Sequence, residues 1–277
     1  MALDRLDALL QRFSFDTRMF NAGALCGVND FLPEPGLGQL HLIRRGHVDI
    51  THADAREAVS VDGPSLLFYP RPVAHRFVTD ALSGADLVCA HVCFNQGGGS
   101  PLAEALPAFV TMPLAELDGT AAVLEVLFDE AFGHQCGRRS VVNRLFEVVL
   151  IQILRKLLQA GKVDVGLLAG LAHPQLARSL VAMHERPAHT WSLATLAGEA
   201  GLSRSAFAST FRKTVGLTPG DYLGQWRVSI AQDLLRKGRP LKWIVDEVGY
   251  GSEAALSRAF KARCGVSPRD WKRCESA

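Results

Sequence analysis

The sequence contains no run of about 18 uncharged apolar residues, so it offers no ordinary membrane-spanning helix. It also lacks the HExxH pair of a zinc hydrolase, the G-x-S-x-G nucleophile elbow and a phosphate-binding glycine loop. Gly97, Gly98 and Gly99 follow an apolar run, but Ser100 and Pro101 come next, so the triplet reads as a turn. With no mechanistic motif, the chain is expected not to be an enzyme. The segment MALDRLDALLQRFSF carries acids at Asp4 and Asp7 and no continuous apolar core, so it is not expected to be a signal peptide. Its Leu6, Leu9, Leu10 and Phe13 fit a short amphipathic helix instead. The six cysteines are scattered at 26, 89, 93, 136, 264 and 274, and they read as reduced, which points to the cytoplasm.

Net charge is small, at +2, yet it is unevenly placed. From Leu171 to Ala277 there are 16 Lys+Arg against 9 Asp+Glu, a net of +7, while residues 1–170 hold 14 against 19, a net of −5. A basic half beside an acidic half suggests that only one of them meets nucleic acid.

The basic half contains a repeat. Phe211, Gly216, Pro219, Asp221 and Tyr222 are answered by Phe260, Gly265, Pro268, Asp270 and Trp271, each 49 positions later. Glu199 and Gly201 are answered by Glu247 and Gly249 at 48 positions, so the second copy has one extra residue in its turn. Self-similarity of this kind indicates two copies of one supersecondary unit. Within the first copy, a helix-period run ends at Gly201 and a second helix follows shortly, with Phe207 and Phe211 on one face and Ser205, Ser209, Arg212 and Lys213 mostly off it. A glycine turn between two crossed helices is the pattern of a helix-turn-helix, whose second helix enters a DNA major groove. Ser192 is the expected N-cap of the first helix.

The acidic half opens with short apolar runs broken by Gly and Pro. LHLIRRGHVDI reads as two strands around Gly46; SLLFYP, HRFV and DLVCAHVCF follow, and the spacing suggests an all-β barrel or sandwich. Cys89, His91 and Cys93 alternate along one strand, so they share a face. With His75 or His41 from neighbouring strands they form a donor set that suits Zn²⁺. The opposite reading, with Val88, Ala90, Val92 and Phe94 inward and the cysteines serving as small hydrophobes, is equally open. PLAEALPAFVTM reads as a short helix broken by proline. Two longer helices follow, one from about Ala121 and one over 141–161, the latter apolar around most of its girth. A lone surface helix needs only a stripe, so this pair is expected also to supply a dimer interface. Residues 162–173 read as the linker, and Pro174 opens the next helix.

Two resemblances follow from these residues. Gly63 to His75 (GPSLLFYPRPVAH) resembles the second motif of the cupin barrel, in which the histidine points inward and often ligates a metal; it departs from that pattern at Pro72, and only His41 and Gly46 represent the first motif. Over 174–273, with Val248-Gly249-Tyr250, Ser252, Leu256-Ser257-Arg258-Ala259-Phe260-Lys261 and Gly265-Val266-Ser267-Pro268, the chain resembles the AraC/XylS family of transcription regulators. The resemblance implies an α+β multidomain protein: a cupin-like sensor barrel at 1–110, a helical hairpin at 111–165, a linker at 166–173 and a double helix-turn-helix domain at 174–277. It further implies a homodimer that binds double-stranded DNA, responds to a small molecule or metal, and contacts RNA polymerase as an activator does. Carried over position by position, Ser205, Ala208 and Ser209 face the groove from the first recognition helix, with Arg204 and Arg212 near phosphates and Lys213 beside them. Glu253, Ala254, Ser257 and Arg258 face bases from the second, with Lys261 near phosphate. Arg suits guanine, Glu suits cytosine, Ser suits either and Ala suits the thymine methyl. The metal set would be His75, Cys89, His91 and Cys93. The competing classes are a cupin enzyme fused to a DNA-binding tail, betrayed by turnover that His75→Ala abolishes, and a constitutive architectural dimer, betrayed by DNA affinity that no ligand changes.

Overall fold

The computed structural model describes residues 3–52, 58–94, 100–161 and 165–275. The triplet Gly97 to Gly99 lies outside these. The chain divides into two compact units, Ser14–Ala160 and a second made of Met1–Phe13 with Gly161–Ala277.

The unit Ser14–Ala160 is built on two antiparallel sheets. One has five strands in the order β1 (Phe15–Leu25), β8 (Ala85–Phe94), β3 (Leu37–Arg45), β6 (Ser65–Tyr69) and β9 (Val110–Pro113). The other has four, in the order β2 (Val28–Phe31), β7 (His75–Val78), β4 (His47–His52) and β5 (Val59–Asp62). Ile43, Leu67, Tyr69, Leu87 and Cys89 from the first sheet meet Val48, Ile50 and Phe77 from the second in one buried core. The arrangement is a two-sheet sandwich, and among the described residues no strand pairing closes it into a barrel.

β3 and β4 flank Gly46, as the sequence suggests, but they do not pair with each other. Gly46 has φ +103°, and a Cβ there would meet the Ala85 Cα at 2.8 Å, so the chain turns the corner from one sheet to the other at a position only glycine fits. The two readings of β8 are both partly right. Leu87 and Cys89 enter the core between the sheets, while Val88, Ala90 and Val92 on the opposite face are fully buried as well. The segment after α2 (Pro101–Ala105) differs from the broken helix expected there: residues 110–113 form β9 beside β6. α3 (Ala121–Phe132) and α4 (Arg138–Ala160) follow. α4 buries Val142, Phe146, Val149, Leu150, Ile153, Leu154 and Leu157, a stripe at helical spacing, each worth about 1.5–3 kcal/mol relative to exposure. It packs along β1, where the Asn143 side-chain oxygen accepts from the Met19 N–H at 2.8 Å.

The second unit is helical. Its first element, α1 (Asp7–Arg12), corrects the expected domain boundary: residues 3–13 belong here rather than to the sandwich. Leu9 and Phe13 are buried, the Phe13 ring meets Trp226 edge-on at 4.7 Å, and the Arg5 guanidinium donates to the Leu171 and Ala172 carbonyls at 3.1 and 3.3 Å. The expected linker is a second correction. Leu167–Ala172 forms α5, with Leu168 and Leu171 buried. A Cβ on Gly170 would fall 2.6 Å from Leu180, so this helix is packed tightly against α6 (Leu176–Glu185). Residues 162–164 of that stretch lie outside the described residues.

Candidate functional site

The repeat appears as two matched pairs of helices. α7 (Leu193–Ala200) and α8 (Arg204–Val215) form the first, α10 (Leu241–Val248) and α11 (Glu253–Cys264) the second, with lengths of 8 and 12 residues in both. α9 (Pro219–Arg236) joins them, and α12 (Pro268–Glu275) closes the second. The recurring residues are the ones that stop and start helices. Gly201 and Gly249 end α7 and α10 in the left-handed region, at φ +65° and +71°. Ser203 and Ser252 then cap α8 and α11 by accepting the Ala206 and Ala255 N–H groups. Gly216 and Gly265 end those helices. Thr218 and Ser267 begin the next, each donating its hydroxyl to a carboxylate three residues on, Asp221 at 2.6 Å and Asp270 at 2.7 Å. Ser192 caps α7 as expected, within a capping box completed by Thr195.

Burial sorts the faces of the two second helices. Phe207, Phe211, Leu256 and Phe260 are fully buried. Arg204, Ser205, Ser209, Arg212 and Lys213 on α8 are exposed, with Ala208 half-buried among them. On α11, Glu253, Ala254, Arg258 and Lys261 are exposed and Ser257 is half-buried. Other arginines of this unit are committed to the protein: Arg227 donates to the Pro187 and His189 carbonyls at 2.8 and 3.0 Å, and Arg186 pairs with Glu199 at 3.0 Å.

In the sandwich the expected metal set does not converge. Cys89, His91 and Cys93 do share a face of β8, but successive same-face residues are about 6–7 Å apart, so the two cysteines sit about 13 Å from each other, far beyond the reach of one ion. Among the described residues no group of three or more His, Cys, Asp or Glu is arranged to hold a metal. What the fold brings together is His41, His75 and Cys89. His41 Nδ1 lies 3.0 Å from the Cys89 sulfur, His41 Nε2 lies 3.0 Å from His75 Nε2, and His75 Nδ1 lies 2.9 Å from the Val73 carbonyl. One assignment satisfies every contact. The carbonyl can only accept, so His75 carries its proton on Nδ1, and its Nε2 accepts from His41; His41 Nδ1 then accepts the Cys89 thiol proton. Burial favours each neutral form: it pulls His41 well below the usual imidazole range, holds His75 at about 4 and pushes the Cys89 thiol up. Because His41 uses both nitrogens inside this chain, the donors present do not fit a zinc ion. His75 is also held by rings, stacked between Tyr69 at 4.1 Å and Phe31 at 5.1 Å.

Beside this chain opens a cavity of about 710 Å³, lined by Phe20, Leu25, Phe31, Leu32, Glu34, Gln39 and His91 among others. A smaller one of about 310 Å³, bordered by Thr51, His52, His75 and Arg76, shares Asp30, Phe31 and Leu32 with it. The sequence marked His91 here but none of its neighbours. Phe20 is the unpaired residue at a bulge in β1, between Met19 and Asn21, and its ring reaches His91 at 4.3 Å. Gln39 is 5% exposed; its amide nitrogen donates to the Leu32 carbonyl at 3.2 Å, and its oxygen has no partner. A buried acceptor left unpaired costs about 1–3 kcal/mol, which a ligand bearing a donor removes.

Comparison with known proteins places both units. Residues 4–159 match the cupin family model, and residues 196–273 match that of a helix-turn-helix domain. An AraC-like transcription regulator of Streptomyces antibioticus is 40% identical over 176 residues, covering 62% of this chain and 58% of its own length. The chain belongs to the cupin family through residues 4–159, and its helix-turn-helix unit is of the AraC type. RclR of Escherichia coli, an RCS-specific helix-turn-helix transcriptional activator, is 24% identical over 251 residues and 86% of each chain. Among solved structures, ToxT of Vibrio cholerae aligns with this chain at a TM-score of 0.39 and 12% identity, over 95% of this chain and 97% of its own. The matched stretch spans 58% of the Streptomyces antibioticus relative and 44% of a Streptomyces lividans one.

Proposed function

We propose that this chain is a sequence-specific DNA-binding transcription regulator, with the helix pairs α7–α8 and α10–α11 as its DNA-reading elements and the sandwich as its sensor. The observation that carries the reading is the duplicated helix-turn-helix with its matched caps, each copy keeping an aromatic face inside and a polar, mostly cationic face outside. On α11, Arg258 and Glu253 are long enough to reach base edges, with Ser257 and Ala254 beside them and Lys261 at a phosphate. On α8, Ser205, Ala208 and Ser209 are short, so the first unit depends more on phosphate contacts from Arg204, Arg212 and Lys213 and on DNA shape.

The chain acts as a binding protein and not as an enzyme, which the names of its relatives and the absence of a catalytic motif support. It works as a homodimer through α4, where Val141 and Val148 are exposed at 38% each and flank the half-buried Leu145 on one face. Contact with RNA polymerase belongs to the same reading. A direct test titrates the full chain onto random DNA and onto a site selected from a random pool. Selective binding by about a thousandfold or more supports the proposal, and equal affinity for both contradicts it.

A further inference from the structure

We propose that the cavity beside β1, β3 and β8 binds a small aromatic or apolar molecule carrying a protonated amine. This deepens the sensor reading above and rests on it. The cavity walls are apolar on one side, where Phe20, Leu25, Phe31 and Leu32 line it. Phe20 and Phe31 meet edge-on at 6.2 Å and form a corner of two ring faces. The polar side carries acceptors. Gln39 Oε1 points to no protein donor, and because the amide nitrogen is fixed on the Leu32 carbonyl, it is the oxygen that remains. His91 Nδ1 is also buried without a partner, while its Nε2 lies 3.5 Å from the Glu34 carboxylate. With Nε2 toward Glu34, Nδ1 is the His91 ring nitrogen left without a protein partner.

Charge decides the ligand class. Asp30 and Glu34 border the cavity, and no Lys or Arg is among its described lining residues. The arginine that lines the adjoining cavity, Arg76, is already held by Asp30 at 2.6 and 3.1 Å, while the Glu34 carboxylate meets only the His91 ring at 3.5 Å among the described residues, so Glu34 is the carboxylate left for a ligand. Among the described lining residues, a carboxylate or phosphate ligand entering here meets no Lys or Arg and faces two acids. An ammonium group meets the Glu34 carboxylate, the Gln39 oxygen and two aromatic faces, all of which attract it. The bulge at Phe20 is the local device that turns this ring toward His91, and bulges of this kind re-aim side chains beside binding sites.

The experiment is calorimetric titration of the full chain with three probes matched in size: phenylbutylamine, phenylbutanol and phenylbutanoate. The amine should bind about tenfold or more tightly than the alcohol, and the acid least. Glu34→Gln should weaken the amine about tenfold and leave the alcohol unchanged, a split that loss of folding cannot produce. Gln39→Leu should weaken amine and alcohol alike, since both donate to that oxygen. Equal or tighter binding of the acid overturns the proposal, as does the absence of amine binding by a protein that still binds DNA selectively. Amine binding with the expected variant pattern but no change in DNA affinity keeps the site and removes the sensor role.

Discussion

Gly201 and Gly249 hold equivalent positions in the two helix-turn-helix units, and the structure gives them different surroundings. Both are in the left-handed region, at φ +65° and +71°. An alanine at either one therefore carries the conformational cost of that region, about 1–2 kcal/mol. A Cβ on Gly201 meets nothing within 4 Å. A Cβ on Gly249 falls 2.5 Å from both the Cα and the carbonyl oxygen of Ala188. These are backbone atoms, so no rotamer change relieves the overlap, and overpacking adds about 1–3 kcal/mol. Gly201→Ala should thus cost about 1–2 kcal/mol and Gly249→Ala about 2–5 kcal/mol, a difference visible as several degrees in the midpoint of thermal unfolding. Urea unfolding of the two variants, followed by circular dichroism of the helical unit, measures the gap. Equal destabilisation would refute the reasoning, because it would mean the second turn is not packed against the segment before α7.

Further outcomes follow from the same geometry. Arg258→Ala should cost about 1–3 kcal/mol on the selected site and relax its preference, whereas Lys261→Ala should weaken all sequences alike and flatten the salt dependence by about one unit; equal losses from Arg258→Ala on selected and random DNA contradict the base contact. Acidification should destabilise both units. Burial holds His75 at about 4 and His184, stacked on Trp226 at 3.9 Å, at about 3. Below the unfolded value near 6.5 the unfolded chain takes up protons that the folded chain does not, so stability is full above that pH and falls as pH drops toward 3–4, by at most about 1.4 kcal/mol per pH unit for each histidine. Unfolding curves from pH 7 to pH 4 that do not move would contradict this. Cys89→Ala should cost about 1–3 kcal/mol, because it strips His41 Nδ1 of its donor, and chelation with EDTA should leave the unfolding midpoint unchanged. A large fall on chelation would instead mean that a metal holds these side chains.

The helical half was legible because its punctuation is local. Gly201, Ser203, Gly216 and Pro219, with their counterparts Gly249, Ser252, Gly265 and Pro268, stop and start helices by rules that act within one turn of chain, so the one-residue difference between the copies survives as turns of three and four residues. The sandwich was less legible because its pairings are long-range. β3 lies against β8, with His41 opposite Cys89, and the alternation in LHLIRRGHVDI cannot say that Gly46 parts two sheets. Alternation did place Cys89, His91 and Cys93 on one face, but it carries no information on depth: Cys89 is fully buried while His91 and Cys93 are only half-buried. Amphipathicity of the first helix announced a buried face without naming its partner, which is the helical unit. Gln39 and Phe20 left no signal. One polar residue in an apolar strand and one extra residue in another mean little until their neighbours are known.

The measurement that tests the central claim most directly is hydroxyl-radical footprinting of the full chain on a site selected from random DNA, repeated with Arg258→Ala. Two protected patches on one face of the duplex, about 10 base pairs apart, with the Arg258→Ala protein losing protection in one of them, are the predicted result. A single patch, or uniform protection that does not depend on sequence, would contradict the account of two helix-turn-helix units reading successive major grooves.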